Sequence, residues 1–199
     1  MAWNKYFIVV TNQQGTKPTE VLTKLNLNGY QPVGEANFLQ TNKSDDLFIG
    51  TYQDKLVIAN PDLTYSFFAA EVSDIEKTFV SAFPFCEIVA LAENSTVGEF
   101  GYSLLDNGRR IRVKHGCDGE IYVDFGKTLP EEEEILAGHI FDPEELDEMR
   151  EDMDEDEVQN MVAFEASWRT PAQISKRFFG DRIDNLDTDA IKLTRFKKS

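Results

Sequence analysis

Cysteine, histidine and long apolar runs are scarce in this sequence of 199 residues. The two cysteines, Cys86 and Cys117, give no disulfide framework and are typical of a reducing compartment, so we expect a cytoplasmic protein. The longest apolar runs, YFIVV and IVALA, are far shorter than the ~20 residues that a membrane span needs. The N-terminal segment also lacks a signal-peptide pattern. We therefore predict no membrane association.

Basic residues are almost missing from one segment. The chain has 36 Asp and Glu against 20 Lys and Arg, and fifteen of those acids fall in 131–157 with a single Arg. The formal net charge is −16, and the rest of the chain is close to neutral. Because nucleic-acid binding depends on Lys and Arg that neutralise phosphates, we predict no nucleic-acid partner. Such a segment favours a basic protein partner instead.

The N-terminal half alternates strands and helices in an order that predicts an α+β fold. WNKYFIVVT and FCEIVALA are apolar strands, and LFIGTYQDKLVIAN is a hairpin. Two helices lie between them, one with Pro18 in its first turn and one capped by Ser73 with Glu76. This order resembles a ferredoxin-like β-α-β-β-α-β unit. We expect a mainly antiparallel sheet with helices on one face, in a single domain over 1–199.

A three-stranded meander is predicted over 99–126, as an extension of the sheet. The two-residue turn NG places Leu104 opposite Ile111. The three-residue loop CDG places Arg112 opposite Asp124. This register puts the apolar residues of all three strands on one face, which a slip of one residue would prevent.

Helices follow the meander over 128–180. The first is TLPEEEEILAG, and Asp142 caps the next. The chain then runs without Gly or Pro as far as Thr170, which predicts either one long helix or two helices that meet near Asp154. A last helix is expected from Thr170 to Gly180, and the tail DAIKLTRFKKS is expected to add an edge strand.

The acidic run invites a calcium site, but the spacing is wrong for an EF-hand loop. If the loop began at Asp152, its sixth residue would be Glu157 where glycine is needed for the turn. Its twelfth residue would be Ala163 where a glutamate ligand is needed. We predict no metal site and no cofactor.

Zinc and nucleophile motifs are missing as well. Neither C-x-x-C nor H-x-x-x-H spacing occurs, and there is no G-x-S-x-G elbow or phosphate-binding glycine loop. The predicted register points His115 into a sheet face, whereas Cys117 lies at a loop tip. We interpret His115 as a histidine at the core edge and Cys117 as a free thiol.

The run from 101 to 138, followed later by RFFG, is similar to a bacterial family of uncharacterised proteins. That family has an aromatic strand, a turn, an Arg-containing strand and a Gly-x-x-Leu-Pro-x-Glu segment before an acidic region. The resemblance covers 101–180, implies no activity, and does not extend to the Cys117 loop or the long acidic helix. The matching residues are Tyr102, Gly108, Arg112, Gly126, Leu129, Pro130 and Glu132.

We predict a non-enzymatic interaction protein of an immunity or regulatory type, with an acidic helical surface for a basic protein. One alternative is a small hydrolase-like enzyme with carboxylates in a cleft between the sheet and the C-terminal helices. Another is that the acidic segment serves solubility alone. A deep pocket holding carboxylates of raised pKa would favour the enzyme. The predicted partner-binding residues are Glu144, Glu145, Glu148, Glu151, Asp152, Glu155 and Asp156.

Overall fold

The computed structural model describes residues 4–41 and 45–199. The strands are β1 (Asn4–Val10), β2 (Tyr30–Asn37), β3 (Asp46–Tyr52), β4 (Lys55–Ala59), β5 (Ile88–Asn94), β6 (Glu99–Asp106), β7 (Arg109–Cys117), β8 (Glu120–Gly126) and β9 (Lys192–Lys198). The helices are α1 (Pro18–Lys24), α2 (Pro61–Tyr65), α3 (Asp74–Ala82), α4 (Pro130–Ala137), α5 (Pro143–Asp152) and α6 (Glu155–Phe179). All nine strands belong to one antiparallel sheet in the order β2-β9-β3-β4-β1-β5-β6-β7-β8. The α+β prediction is confirmed.

Strands β1, β3, β4 and β5 form the predicted ferredoxin-like unit with helices α1 and α3. They lie in the order β5-β1-β4-β3, with each neighbouring pair antiparallel. Both helices pack on the same face, α1 through Val21 and the Leu25 that follows it, and α3 through Phe79 and the Phe83 that follows it. Trp3, in the first predicted strand, lies outside the described residues.

Helices cover both faces of the sheet, so the predicted one-faced arrangement is wrong. On the face opposite to α1 and α3, Ile174 and Phe178 of α6 pack with Phe7 and Phe48 of the central strands. The reason lies in the central strands themselves, since β1 is buried at six of its seven positions. A strand with apolar residues at successive positions needs cover on both sides.

Strands β6, β7 and β8 form the predicted meander, but the predicted register is wrong. A bulge shifts the pairing of β6 with β7, so Leu104 lies opposite Arg112 rather than Ile111. The second turn has two residues instead of three, and a second bulge places Arg112 opposite Gly126 rather than Asp124. Each bulge inserts one extra residue into a strand, which an alternating sequence pattern does not reveal.

The part of the acidic segment that follows Asp142 forms α5 and the start of α6, two helices that meet at Asp154. The Asp154 side chain accepts a hydrogen bond from the Glu157 N–H and so caps α6. Helix α6 then continues through Pro171, so the predicted separate helix from Thr170 is wrong. The Thr170 hydroxyl donates to the Ala166 carbonyl within α6 instead of capping a new helix.

The C-terminal strand β9 lies inside the sheet, between β2 and β3, so the predicted edge strand is wrong. Its two large apolar side chains enter opposite cores: Phe196 packs on the α1 and α3 face and Leu193 on the α6 face. Because both faces of β9 contribute to a core, an interior position buries more apolar surface than an edge position does.

Candidate functional site

Helix α5 and the first turn of α6 meet in a corner that is built by two capping boxes. The Asp142 side chain accepts from the Glu145 N–H at 2.9 Å, and the Glu145 side chain accepts from the Asp142 N–H at 2.8 Å. Asp154 and Glu157 repeat this exchange at the start of α6. Met153, with an extended backbone (φ −126°, ψ 150°), joins the two helices.

All seven residues predicted to bind a basic partner lie on this corner, and all are exposed. Glu144, Glu148 and Glu151 follow one another at helical spacing and so share one face of α5. Two further members belong to the first turn of α6, where the helix dipole favours acidic side chains. We refer to the seven together as the acidic corner: Glu144, Glu145, Glu148, Glu151, Asp152, Glu155 and Asp156.

Two members of the acidic corner have partners within the chain. Glu145 belongs to the cap of α5, as described above. Glu155 accepts from Gln159 Nε2 at 2.8 Å and from Arg150 Nε at 3.2 Å. These hydrogen bonds hold the pKa of Glu155 below its usual value. Within the described part of the chain, the other five carboxylates form no hydrogen bond or ion pair.

Two methionines next to the acidic corner are partly exposed. Met153 joins the two helices, Met161 lies two turns into α6, and each is 36% exposed. In the described structure both lie outside the two hydrophobic cores. Because methionine is unbranched and polarisable, it adapts to partner surfaces of different shape.

The carboxylate of Glu132 is buried in the cleft between the sheet and the C-terminal helices. Arg112 donates to it through Nε at 2.9 Å and Nη2 at 2.7 Å. The Tyr102 hydroxyl and the Leu129 N–H donate to it at 2.7 and 2.8 Å. Burial alone would raise the pKa of Glu132, but the hydrogen bonds from Arg112, Leu129 and Tyr102 outweigh it and lower the pKa.

A small cavity of about 70 Å³ adjoins Glu132, beside Lys114 and Ser167. Since a buried water occupies roughly 10–15 Å³ by this measure, the cavity has room for a few waters. The predicted enzyme site required a deep pocket with carboxylates of raised pKa. The cavity beside Glu132 is small, and the pKa of Glu132 is lowered rather than raised.

A second polar cluster surrounds the buried carboxylate of Glu99 on the opposite face of the sheet. The Glu99 carboxylate accepts from the Tyr6 and Tyr65 hydroxyls at 2.7 and 2.6 Å, and it lies 3.1 Å from His115 Nε2. Asn94 Nδ2 donates to the Tyr6 hydroxyl at 3.0 Å. We refer to these five residues as the Glu99 cluster.

Aromatic rings enclose His115 within this cluster. Phe68 stacks on the imidazole, with centroids 5.3 Å apart and planes 16° apart. Tyr65 and Tyr122 meet the same ring edge-on, at 6.1 and 5.8 Å. A Cβ on Gly101, which lies opposite His115, would collide with the Phe68 ring. The glycine is therefore what allows Phe68 to reach the imidazole.

Two groups near His115 have shifted pKa values. Burial alone would raise the pKa of Glu99, but hydrogen bonds from His115, Tyr65 and Tyr6 hold it below its usual value. Burial raises the pKa of the Cys117 thiol, and nearby negative charge adds to the effect. The thiol donates to the Val97 carbonyl at 3.2 Å. Cys117 is a free cysteine, as predicted, and it is protonated at neutral pH.

Glu93 on β5 provides a test of stability against pH. Burial raises its pKa from 4.5 to about 7, with Asp184 adding to the shift and Arg182 opposing it. Because the folded-state pKa lies above the unfolded value, the fold loses stability as the pH rises between these two values. In Glu93→Gln we expect this loss to be smaller by roughly 1–3 kcal/mol between about pH 5 and pH 8, measured by urea unfolding.

The exposed substitution Glu20→Gln serves as its control. It should leave the wild-type change in unfolding free energy between the two pH values unaltered. If Glu93→Gln retained the full wild-type loss, Glu93 would not be the group responsible.

Two further features bear on function. Within residues 4–41 and 45–199, no group of three or more His, Cys, Asp or Glu side chains is placed to hold a metal ion. No helix in that part of the chain is both long and apolar enough to cross a membrane.

Comparisons of the chain with protein-family models, with curated proteins and with solved structures gave no significant match. The resemblance of 101–180 to an uncharacterised bacterial family therefore stays a prediction.

Proposed function

We propose that this chain is a non-enzymatic intracellular interaction protein whose acidic corner binds a basic protein. The observation that supports this is the exposure of seven carboxylates on two adjoining helices, five of them without a partner in the described chain. Complementary charge accelerates encounter between proteins and selects the partner. Carboxylates on capped helices are held at fixed spacing, so they also orient that partner.

The clustering of negative charges in one corner supports a role in binding rather than a role in solubility alone. Like charges at i,i+4, such as Glu144 with Glu148 and Glu148 with Asp152, destabilise a helix by roughly 0.2–0.5 kcal/mol per pair. Solubility requires net charge but does not require it in one place. The exposed Met153 and Met161 add apolar contact area beside the charges. Apolar contacts with a polar rim are the usual composition of a protein interface.

The enzyme alternative receives less support. Its expected cleft holds Glu132, which is committed to Arg112, Tyr102 and the Leu129 N–H and has a lowered pKa. A general acid needs a raised pKa, and a general base needs a free lone pair within reach of substrate.

The test compares three proteins in a capture of partners from a native lysate, at low and at moderate salt. One is the wild type, and one has the seven residues of the acidic corner changed to Gln or Asn. The third is a control with the same charge change at seven exposed acids elsewhere: Glu20, Glu35, Asp45, Asp62, Glu71, Asp106 and Asp181.

We expect the wild type and the control to retain a basic protein that the acidic-corner variant loses. The retained amount should fall from low to moderate salt, because surface charges are screened. If all three proteins captured the same partners, or if none of them captured a partner, the acidic corner would serve only to keep the protein solvated.

A further inference from the structure

The two ring nitrogens of His115 are in different situations. Nε2 lies 3.1 Å from Glu99 Oε1. An ionised carboxylate only accepts hydrogen bonds, so Nε2 carries the hydrogen and Nδ1 of the neutral ring is an acceptor. Among the described residues, Nδ1 has no hydrogen-bond partner.

The direction of this acceptor is fixed by its neighbours. Glu99 is held by the hydroxyls of Tyr6 and Tyr65, and Phe68 holds the plane of the imidazole by stacking. The His115 side chain remains 17% exposed, and among the described residues Nδ1 is not one of the buried side-chain atoms that lack a partner, so Nδ1 reaches solvent. Because the direction of this acceptor is already fixed, the binding of a donor costs little further conformational entropy.

Exposed aromatic rings flank this edge of His115. Tyr65 is 38% exposed and Tyr122 is 56% exposed, and both approach the imidazole edge-on. The face of an aromatic ring carries partial negative charge and attracts cations within about 6 Å.

The charge around Tyr122 is negative. Burial raises the pKa of its hydroxyl, and the carboxylates of Glu120, Asp118 and Glu99 add to this shift. Within residues 4–41 and 45–199, no Lys or Arg forms an ion pair with Glu99, and the neutral imidazole of His115 adds no positive charge. A carboxylate or phosphate ligand would be repelled here, whereas a cation would be attracted.

We propose that His115 Nδ1, Tyr65 and Tyr122 form a binding site for a small organic ammonium ion. An N–H of the ligand donates to Nδ1, and its positive charge lies against the two tyrosine rings. This site lies on the meander and is separate from the acidic corner.

The chain is suited to a test by NMR because it contains two histidines, His115 and His139. His139 is exposed and serves as an internal reference. The probes are phenethylammonium and 3-phenylpropionate, which share a phenyl ring and differ in the sign of their charge. Each is titrated at constant ionic strength and at a pH where the imidazole is neutral.

We expect saturable shifts of the His115 ring signals with phenethylammonium and none with 3-phenylpropionate, while the His139 signals stay constant. The exposed change Tyr122→Leu should weaken binding by about two- to fivefold, because it removes one cation–π contact. His115→Phe keeps the ring stack but removes the acceptor, and should weaken binding by about tenfold, followed through the Tyr65 ring signals.

The acidic-corner variant distinguishes this site from general attraction to a protein of net charge −16. It should bind phenethylammonium at His115 as the wild type does. Equal shifts with both probes, equal shifts at both histidines, or wild-type affinity in Tyr122→Leu would overturn the proposal.

Discussion

Glu132→Ala is expected to destabilise the fold by about 3–5 kcal/mol, as removal of one partner from a buried ion pair does. The side chains of Arg112 and Glu132 are only 5% and 7% exposed. Without the carboxylate, the guanidinium keeps the half-exposed Asp124 as its remaining anionic partner. The Tyr102 hydroxyl and the Leu129 N–H lose their acceptor at the same time.

Urea unfolding of Glu132→Ala and of Glu133→Ala measures this effect. Glu133 is the exposed neighbour on α4, and its loss should change the unfolding free energy by no more than about 0.5 kcal/mol. Similar values for the two variants would show that the Glu132 contacts contribute little to stability.

Phe196→Ala is expected to cost about 3–5 kcal/mol of unfolding free energy, the usual loss for a buried phenylalanine. The side chain is fully buried in the core beneath α1 and α3. It belongs to β9, so its loss also weakens the strand that joins β2 to β3. Lys197→Ala, the adjacent exposed position, is the matched control.

The two possible positions of the C-terminal strand give different results in this experiment. If β9 were an edge strand with one buried face, Phe196→Ala would lower the unfolding free energy only modestly. If β9 is an interior strand, the unfolding free energy falls severely, and the whole sheet unfolds at a lower temperature. A loss of less than about 1 kcal/mol for Phe196→Ala would contradict the interior placement.

The ferredoxin-like unit could be predicted because its signals are local. Apolar runs identified β1 and β5, and the Ser73 side chain does cap α3 through the Glu76 N–H. The place of β9 could not be predicted in this way. Its sequence, KLTRFKK, has polar residues at most positions, and its neighbours come from far earlier in the chain.

The register of the meander shows a different limit. The turn residues were read correctly, since Asn107 and Gly108 both have positive φ (48° and 74°). The bulges lie beyond the turn, one between Leu104 and Leu105 and one between His115 and Gly116. Each adds one residue to a strand, and the alternation of apolar and polar residues does not show where that residue is.

The acidic corner and the Glu99 cluster also differ in how far the sequence predicts their residues. The acidic corner is contiguous in sequence, so composition predicted its residues and the structure places all seven at the surface. The Glu99 cluster assembles residues from separate strands and a helix, and Tyr6 and Glu99 are 93 positions apart in the sequence. Only the inward direction of His115 was anticipated, and nothing in its spacing indicated a carboxylate partner.

The most direct test of the acidic corner is the association rate constant of a captured basic partner, measured over a range of ionic strength. The wild type and the control with seven distant substitutions should associate quickly at low salt and slow steeply as salt rises. The acidic-corner variant should associate at least about tenfold more slowly at low salt, with little dependence on salt. Equal rate constants and equal salt dependence for all three proteins would contradict the proposal that the acidic corner is the binding surface.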